Sequence, residues 1–351
     1  MFKNFLTKFS KDMAIDLGTS NTLVYVKDRG VVVNESSVVA INTRNDQILS
    51  IGEEASKMIG KTPPHIVVSK PLLDGVISDF EVTEKMLKYF INKVQQENSF
   101  MAPRPKVVVG IPLDITEVEK KAVEDAIMSA GAREVHLVEN VIASAIGARL
   151  PIQDPSGNAV VNIGGGLTEI AIISLSGVVA WRSLKTAGRD FDHDIINFAR
   201  NEYNLLVGER NAERIKMQLE GFESDKEVPL KIRGRDLITG LPKEISINPL
   251  LILHCMDRSV KMIVENIKAT LEITPPELTA DIYQKGILLT GGGSLLKGLD
   301  KVIAKAIRIN VQTGDDPLTC VVRGLGILLD DKNLLKEVAV PSSSREEETV
   351  R

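Results

Sequence analysis

Hydrophobic and polar positions alternate through residues 13–16, yield to the polar run Gly18-Thr19-Ser20-Asn21, and resume as an apolar run over 23–26. A period of two on either side of a glycine turn predicts a strand, a tight reversal and a returning strand. Such a hairpin can wrap an anion. The glycine lets backbone N–H groups approach it, and the hydroxyls and amide add donors. Asp16, at the end of the incoming strand, stands where it can hold Mg²⁺ through water, because that ion prefers carboxylate and water oxygens. Taken alone, the stretch is equally well read as an ordinary hairpin with a polar tip.

A second copy decides between these readings. Over residues 158–173 an apolar strand again ends in a side-chain oxygen, Asn162, followed by Gly164, Gly165 and Gly166 and a second apolar strand. A third turn, Gly291-Gly292-Gly293-Ser294, follows the apolar strand 286–290 and precedes a helical pattern over 295–307. Two like hairpins suggest a duplicated unit. Three glycine turns at the ends of buried strands imply a nucleotide held between two α/β domains.

The remaining periodicities fill in those domains. Residues 31–51 read as short strands and 53–60 as helix, a small inserted subdomain. Residues 83–97 form an amphipathic helix with Met86, Leu87, Phe90, Ile91 and Val94 inward. A strand covers 106–111, and Thr116 opens a helix with Glu119 at the capping-box position, running to Ala130. The strand 135–138 feeds a helix from near Asn140, whose small residues suit close packing. Residues 150–157, with two prolines, read as a hinge. Helices are expected at 191–203 and 210–219, strands of a second small subdomain within 222–247, one long helix over 249–271 and a last helix over 323–329. From Lys336 on, the chain is polar and aperiodic, the mark of a disordered tail.

The first residues follow another pattern. Phe2, Phe5, Leu6 and Phe9 fall on one helical face, with Lys3, Lys8 and Lys11 elsewhere. This suits a short helix in a membrane interface, basic groups toward anionic headgroups; docking onto its own domain is the other reading. Its few residues bury little area, so firm attachment needs many copies on a polymer. Phe100 and Met101, in the loop 98–103, read equally as a second membrane tip or as a loop tucked inward.

Composition narrows the class. The 351 residues exceed the usual size of one core, and 43% are hydrophobic with only 4% aromatic, so Val, Ile, Leu and Ala must build covered parallel sheets. A net charge of −4 gives no electrostatic case for nucleic acid. Cys255 and Cys320 match no metal-ligand spacing and suit a reduced cytosolic compartment. No apolar run reaches the length of a membrane span.

The ordered set IDLGTSNTLVYV, VVVGIP, GAREVHLVE, AIGARLP, IGGGLTEIAIISLSG, AERIK, PPELTADI, GILLTGGGSLLKGLD and DDPLTCVVRG resembles the MreB family of bacterial actin homologues, across roughly residues 12 to 330. The resemblance implies an α/β actin-like fold: two duplicated RNase H-like domains flanking a nucleotide cleft, each with a small inserted subdomain. The expected division is a membrane segment 1–11, domain I at 12–150 with its subdomain near 31–64, and domain II at 151–335 with its subdomain near 188–248. A helix near 320–332 would pack back on domain I, and 336–351 is the tail. The resemblance further implies ATP or ADP with Mg²⁺, a homopolymer of paired protofilaments on the inner membrane face, and partnership with RodZ, MreC, MreD and wall synthases in keeping cells rod-shaped. Residues 16–21 would form the first phosphate loop, with Asp16 beside the metal, and 164–166 the second. Glu213 and Lys216 would meet ribose and adenine, and 291–294 would close over the nucleoside. On spacing alone, Glu213 and Lys216 read as a solvated ion pair one helical turn apart.

Several positions depart from the family pattern. A carboxylate is usual where Asn162 stands, and a Glu that polarises the attacking water where Asn140 stands. Leu167 and Arg189 replace a usual Thr and Asp. Asparagine can hydrogen-bond a water but cannot take its proton. Glu139 is a poor stand-in, since one step along a helix turns a side chain by about 100°. The expectation is an MreB-like protein that binds nucleotide but hydrolyses it weakly or not at all; compensation by other side chains remains open. A small-molecule kinase of the same superfold would need a catalytic carboxylate near the second loop. A DnaK-type chaperone would need a further peptide-binding domain. A plasmid-segregating actin-like ATPase would not need the Phe-rich basic start.

Overall fold

The structure, a computed structural model, describes residues 11–96, 103–219, 221 and 228–341. The membrane candidates Phe2, Phe5, Leu6, Phe9, Phe100 and Met101 lie outside the described residues. The chain divides into two compact units: Met1–Ser156 with Ile173–Val179 and Leu318–Arg351, and Gly157–Ile172 with Ala180–Pro317. Each is described by itself.

The first unit opens with an antiparallel meander, β1 (Met13–Leu17), β2 (Asn21–Val26) and β3 (Gly30–Ser36). Next come β4 (Val39–Asn42), β5 (Gln47–Ile51), α1 (Glu53–Ser56) and β6 (Ile66–Ser69), whose three strands form a separate small sheet with a minor core of Val38, Ala40 and Ala55. A short ribbon of β7 (Leu72–Leu73) and β8 (Val76–Ile77) leads to α2 (Phe80–Gln96). Then follow β9 (Lys106–Ile111), α3 (Glu117–Ser129), β10 (Glu134–Glu139) and α4 (Asn140–Gly147). Thr116 and Glu119 make the reciprocal cap of α3, as their spacing predicts.

β1, β9 and β10 run parallel, in the sheet order β10-β9-β1-β2-β3. Alternation divides their side chains. Met13, Ile15, Leu17, Val107, Val109 and Ile111 join Met86, Phe90 and Ile127 in one core beneath α2 and α3.

The second unit repeats the plan. β11 (Asn158–Ile163), β12 (Thr168–Ser174) and β13 (Gly177–Leu184), the last two joined by the stretch 173–179 that is grouped with the first unit, are followed by α5 (Gly188–Tyr203), β14 (Leu205–Leu206), α6 (Glu209–Gln218), β15 (Leu230–Asp236) and β16 (Pro242–Ile247). β14 to β16 form a small sheet. Then come α7 (Pro249–Cys255), α8 (Asp257–Glu272), α9 (Pro276–Lys285), β17 (Ile287–Thr290), α10 (Leu299–Ile307) and β18 (Val311–Thr313). The main sheet runs β13-β12-β11-β17-β18, with β11, β17 and β18 parallel, the same order as in the first unit. The chain then returns to the first unit as α11 (Cys320–Asp330), α12 (Lys332–Val338) and β19 (Ala339–Val340). Gly147 of α4 and Gly324 of α11 leave no room for a Cβ against each other's backbone, so these helices meet through their main chains.

Three expectations give way here. The helix expected over 249–271 is two, broken at Met256, where no proline or glycine marks the change. Pro276 sits at the first position of α9, where the missing N–H costs nothing. The helical pattern over 295–307 is a 3₁₀ turn, Gly292–Leu295, and then α10, separated by Gly298 with φ 79°. Residues 336–340, read as the start of a tail, are helix and strand. Asp331 caps α12 by accepting from Asn333 and Leu334, and β19 pairs with Leu137 and Val138 of β10. The rest of that tail lies outside the described residues.

Candidate functional site

In the first unit the turn between β1 and β2 is closed by Gly18 N–H donating to the Asn21 carbonyl at 3.1 Å. A Cβ on Gly18 would stand 2.6 Å from that oxygen, so no other residue fits. Asp16 is half-buried beside the turn, and no described residue donates to its carboxylate or pairs with it. Burial pushes its pKa up from 3.8 to about 7.

The Thr19 and Asn21 side chains and the Gly18 and Ser20 carbonyls of this turn have structural partners. Thr19 Oγ1 accepts from Gly75 N–H at 2.7 Å, fixing the β7–β8 ribbon. Asn21 Nδ2 donates to Asn34 Oδ1 at 3.0 Å. Ser37 Oγ donates to the Gly18 carbonyl at 2.6 Å, and Ser37 N–H donates to the Ser20 carbonyl at 2.9 Å. Sequence reading nominated Gly18, Thr19, Ser20 and Asn21 but missed Ser37, Asn34 and Gly75. These reach the turn from β3, the residue after it and the β7–β8 turn, beyond any local pattern.

Register places Asn140. Val138 pairs with Gly110, and continuing the β1–β9 register sets Asp16 beside Gly110 on the same face. Asn140 Oδ1 lies directly over Gly110, in space that a Cβ would fill, and has no hydrogen-bond partner. Asn140 and Asp16 therefore flank Gly110 on the face that Val321 and Leu325 of α11 cover. Glu139 ends β10 and stands just before α4 with no side-chain capping bond, so the helical-rotation argument against it does not apply. Strand alternation gives a different reason. Glu139 pairs with Ile111 on the opposite face, toward α3, where burial raises its pKa against the pull of Lys120.

In the second unit Gly164 N–H donates to the Leu167 carbonyl at 2.8 Å, the same closure as in the first turn. The start of α5 is strapped to it: Gly188 N–H donates to the Gly164 carbonyl at 3.0 Å and Arg189 N–H to the Gly165 carbonyl at 2.8 Å. Thr168 Oγ1 donates to the Thr186 carbonyl at 2.7 Å. Gly166 completes the turn. Asn162 is buried, and both ends of its amide are engaged: Nδ2 donates to Glu169 Oε2 and Oδ1 accepts from Thr290 Oγ1, each at 3.3 Å.

Lys216 does not pair with Glu213. Its ammonium lies 2.9 Å from Asp192 Oδ1 and donates to the Gly188 carbonyl at 2.8 Å, so α6 is tied to the start of α5. Burial raises the Asp192 pKa to about 6, against the pull of Lys216. Glu213 is exposed on the same helix.

The third glycine turn packs on the second. A Cβ on Gly291 would collide with the Ile163 carbonyl, and one on Gly293 with the Ile163 side chain. Gly292 begins the 3₁₀ turn, and Ser294 Oγ donates inward to the Gly291 carbonyl at 2.7 Å. Among the described residues no three His, Cys, Asp or Glu side chains cluster as a metal site, and no helix is long and apolar enough to cross a membrane.

The family model described as MreB/Mbl protein matches residues 10–337. The chain is 46% identical over 328 residues to the cell shape-determining protein Mbl of Bacillus subtilis, covering 93% of this chain and 98% of the relative. It is 46% identical over 337 residues to the cell shape-determining protein MreB of Escherichia coli, covering 94% and 96%. The fold is similar to that of Spiroplasma citri MreB5 in a crystal structure bound to ADP, with TM-score 0.88 and 34% identity, covering 94% of this chain and 98% of that one. The same relative has also been crystallised with AMPPNP.

Proposed function

The chain belongs to the MreB/Mbl family of cell shape-determining proteins, with an actin-like fold, and from that premise we propose that it binds an adenine nucleotide with Mg²⁺, self-assembles into membrane-associated filaments, and hydrolyses ATP weakly or not at all. Nucleotide binding is supported by the pair of equally closed glycine turns. It is supported too by the ADP and AMPPNP carried by the MreB5 relative.

The half-buried Asp16 carboxylate, with no protein partner, suits a Mg²⁺ held through water. When bound, that ion would neutralise charge on the phosphates. Filaments, attachment by the Phe-rich basic start, a place at the inner membrane face, the partners RodZ, MreC, MreD and wall synthases, and the rod shape they maintain follow from family membership as proposals.

One observation carries the hydrolysis reading: the Asn162 amide is spent on Glu169 and Thr290. Neither it nor Asn140 has a carboxylate with which to take a proton from water. Losing one positioned acid–base group costs roughly 10²- to 10⁴-fold in rate. Phosphate release and light scattering, followed together with ATP, Mg²⁺ and liposomes, test the proposal. Scattering without release, with release restored by Asn140→Glu plus Asn162→Asp, is expected. Release at the revertant's rate by the unaltered protein overturns the hydrolysis reading, and absence of scattering overturns the filament.

A further inference from the structure

The ammonium of Lys216 stands beside the second glycine turn, held there by two groups of α5. It donates to the Gly188 carbonyl at 2.8 Å and lies 2.9 Å from Asp192 Oδ1. Gly188 shows how close the turn is. A Cβ added to it would stand 3.1 Å from the Gly164 carbonyl oxygen, 3.7 Å from Gly165 Cα and 3.8 Å from Lys216 Nζ. Ammonium and turn thus border one small space, and the absent side chain leaves it open between them.

Asp192 decides how much of the lysine's charge is felt there. Only 17% of the Lys216 side chain and 14% of the Asp192 side chain are exposed, so water screens the pair weakly. An ionised Asp192 cancels the ammonium beside it; a neutral one leaves a full positive charge facing the turn. Burial favours the neutral form and brings the Asp192 pKa up from 3.8 to about 6. Lys216 and Glu213 act on it from α6 and His193 from α5. Lys216 and His193 oppose the rise, and Glu213 adds to it. From α8, Arg258 and Ser259 act on Asp194 instead.

We propose that Asp192 is a positioning residue that sets how much positive charge Lys216 presents to a nucleotide at the second turn. This rests on the nucleotide-binding reading above. With Asp192 ionised, the ammonium is held and neutralised; with Asp192 protonated, its charge acts on the phosphates. Nucleotide affinity therefore gains a component that rises as pH falls through about 6.

The test is calorimetric titration of the full chain with ADP and adenosine, in Mg²⁺ and in excess EDTA, at about pH 8 and about pH 5.5. It compares the unaltered protein with Asp192→Asn and Asp192→Ser. Removing one weakly screened charge near an anion's site sets the expected gain in ADP affinity at about 10-fold at pH 8 in EDTA. Near pH 5.5, where most of the unaltered protein carries the proton, the gain should shrink below about 2-fold. Adenosine is uncharged and should bind all three proteins alike. The titrations of ADP itself and of Asp16 are common to them, so the difference isolates Asp192. Asparagine matches the neutral form that burial favours, and the serine variant gives the same readout if the asparagine variant fails to fold. Equal or lower ADP affinity for either folded variant at pH 8 overturns the role of Asp192 and leaves nucleotide binding standing. A gain undiminished near pH 5.5, or an equal change for adenosine, overturns it too, by showing that the residue acts on the fold. Failure of the unaltered protein to bind either ligand, with or without Mg²⁺, overturns the nucleotide reading itself.

Discussion

The two glycine turns share a backbone and differ in charge. Gly18 donates to Asn21 as Gly164 donates to Leu167, three residues on in each case, and each turn joins the first two strands of a sheet with the same strand order. Two residues before the glycine they part. Asp16 is an acid without a partner, its pKa raised to about 7, whereas Asn162 is an amide satisfied from both sides. The first turn ends beside an unpaired acid, the second beside an amide with both ends engaged. The hydrogen bonds that shape the turn are shared by the two copies, while the charge that decides what the turn can hold is not.

Asn162→Asp should break the comparison most sharply. It would set a second carboxylate where Asn162 Nδ2 now lies 3.3 Å from Glu169, so that two buried acids face each other. Chemical denaturation should show a loss of about 3 kcal/mol at pH 8. The coupled acids would have raised folded-state pKa values, so the loss should shrink as pH falls and the pair regains a proton, and Mg²⁺ should reverse part of it. A loss independent of both pH and Mg²⁺ would contradict the account.

Asp16→Asn should act in the opposite direction. The folded-state pKa of about 7 lies above the unfolded value of 3.8, so ionisation penalises the fold. The penalty is absent below about pH 4, grows between 4 and 7, and is complete above 7. Discounted for the partial exposure of Asp16, the variant should gain about 2 kcal/mol at pH 8 and nothing at pH 4. Mg²⁺ should raise the melting temperature of the unaltered protein at pH 8 but not that of the variant. The smallest effect belongs to Thr19→Val, which removes the acceptor for Gly75 N–H and should cost about 1 kcal/mol in thermal unfolding. If nucleotide affinity fell with no such loss, the Thr19 hydroxyl would belong to the ligand rather than to the β7–β8 ribbon.

What the chain determined by itself was local. Alternation into Asp16 and Asn162, the glycines that follow, the capping pair Thr116 and Glu119, and the apolar stripe of α2 each rest on spacing of a few residues, and the structure realises each within three residues of the expected bounds. Duplication was legible for the same reason, because the same local pattern occurs twice.

The partners of the polar groups were decided only in three dimensions. Lys216 pairs with Asp192 rather than Glu213 because packing brings the start of α5 against α6, and a half-buried ammonium takes the nearest carboxylate that packing supplies. Glu139 is turned from Asp16 by parallel-strand register, which no one-dimensional period encodes. Asn162 is engaged because Glu169 and Thr290 arrive on neighbouring strands of one sheet. Periodicity reports which side of an element is buried. A hydrogen bond depends on which other element arrives there, and that is set by long-range packing of the whole chain.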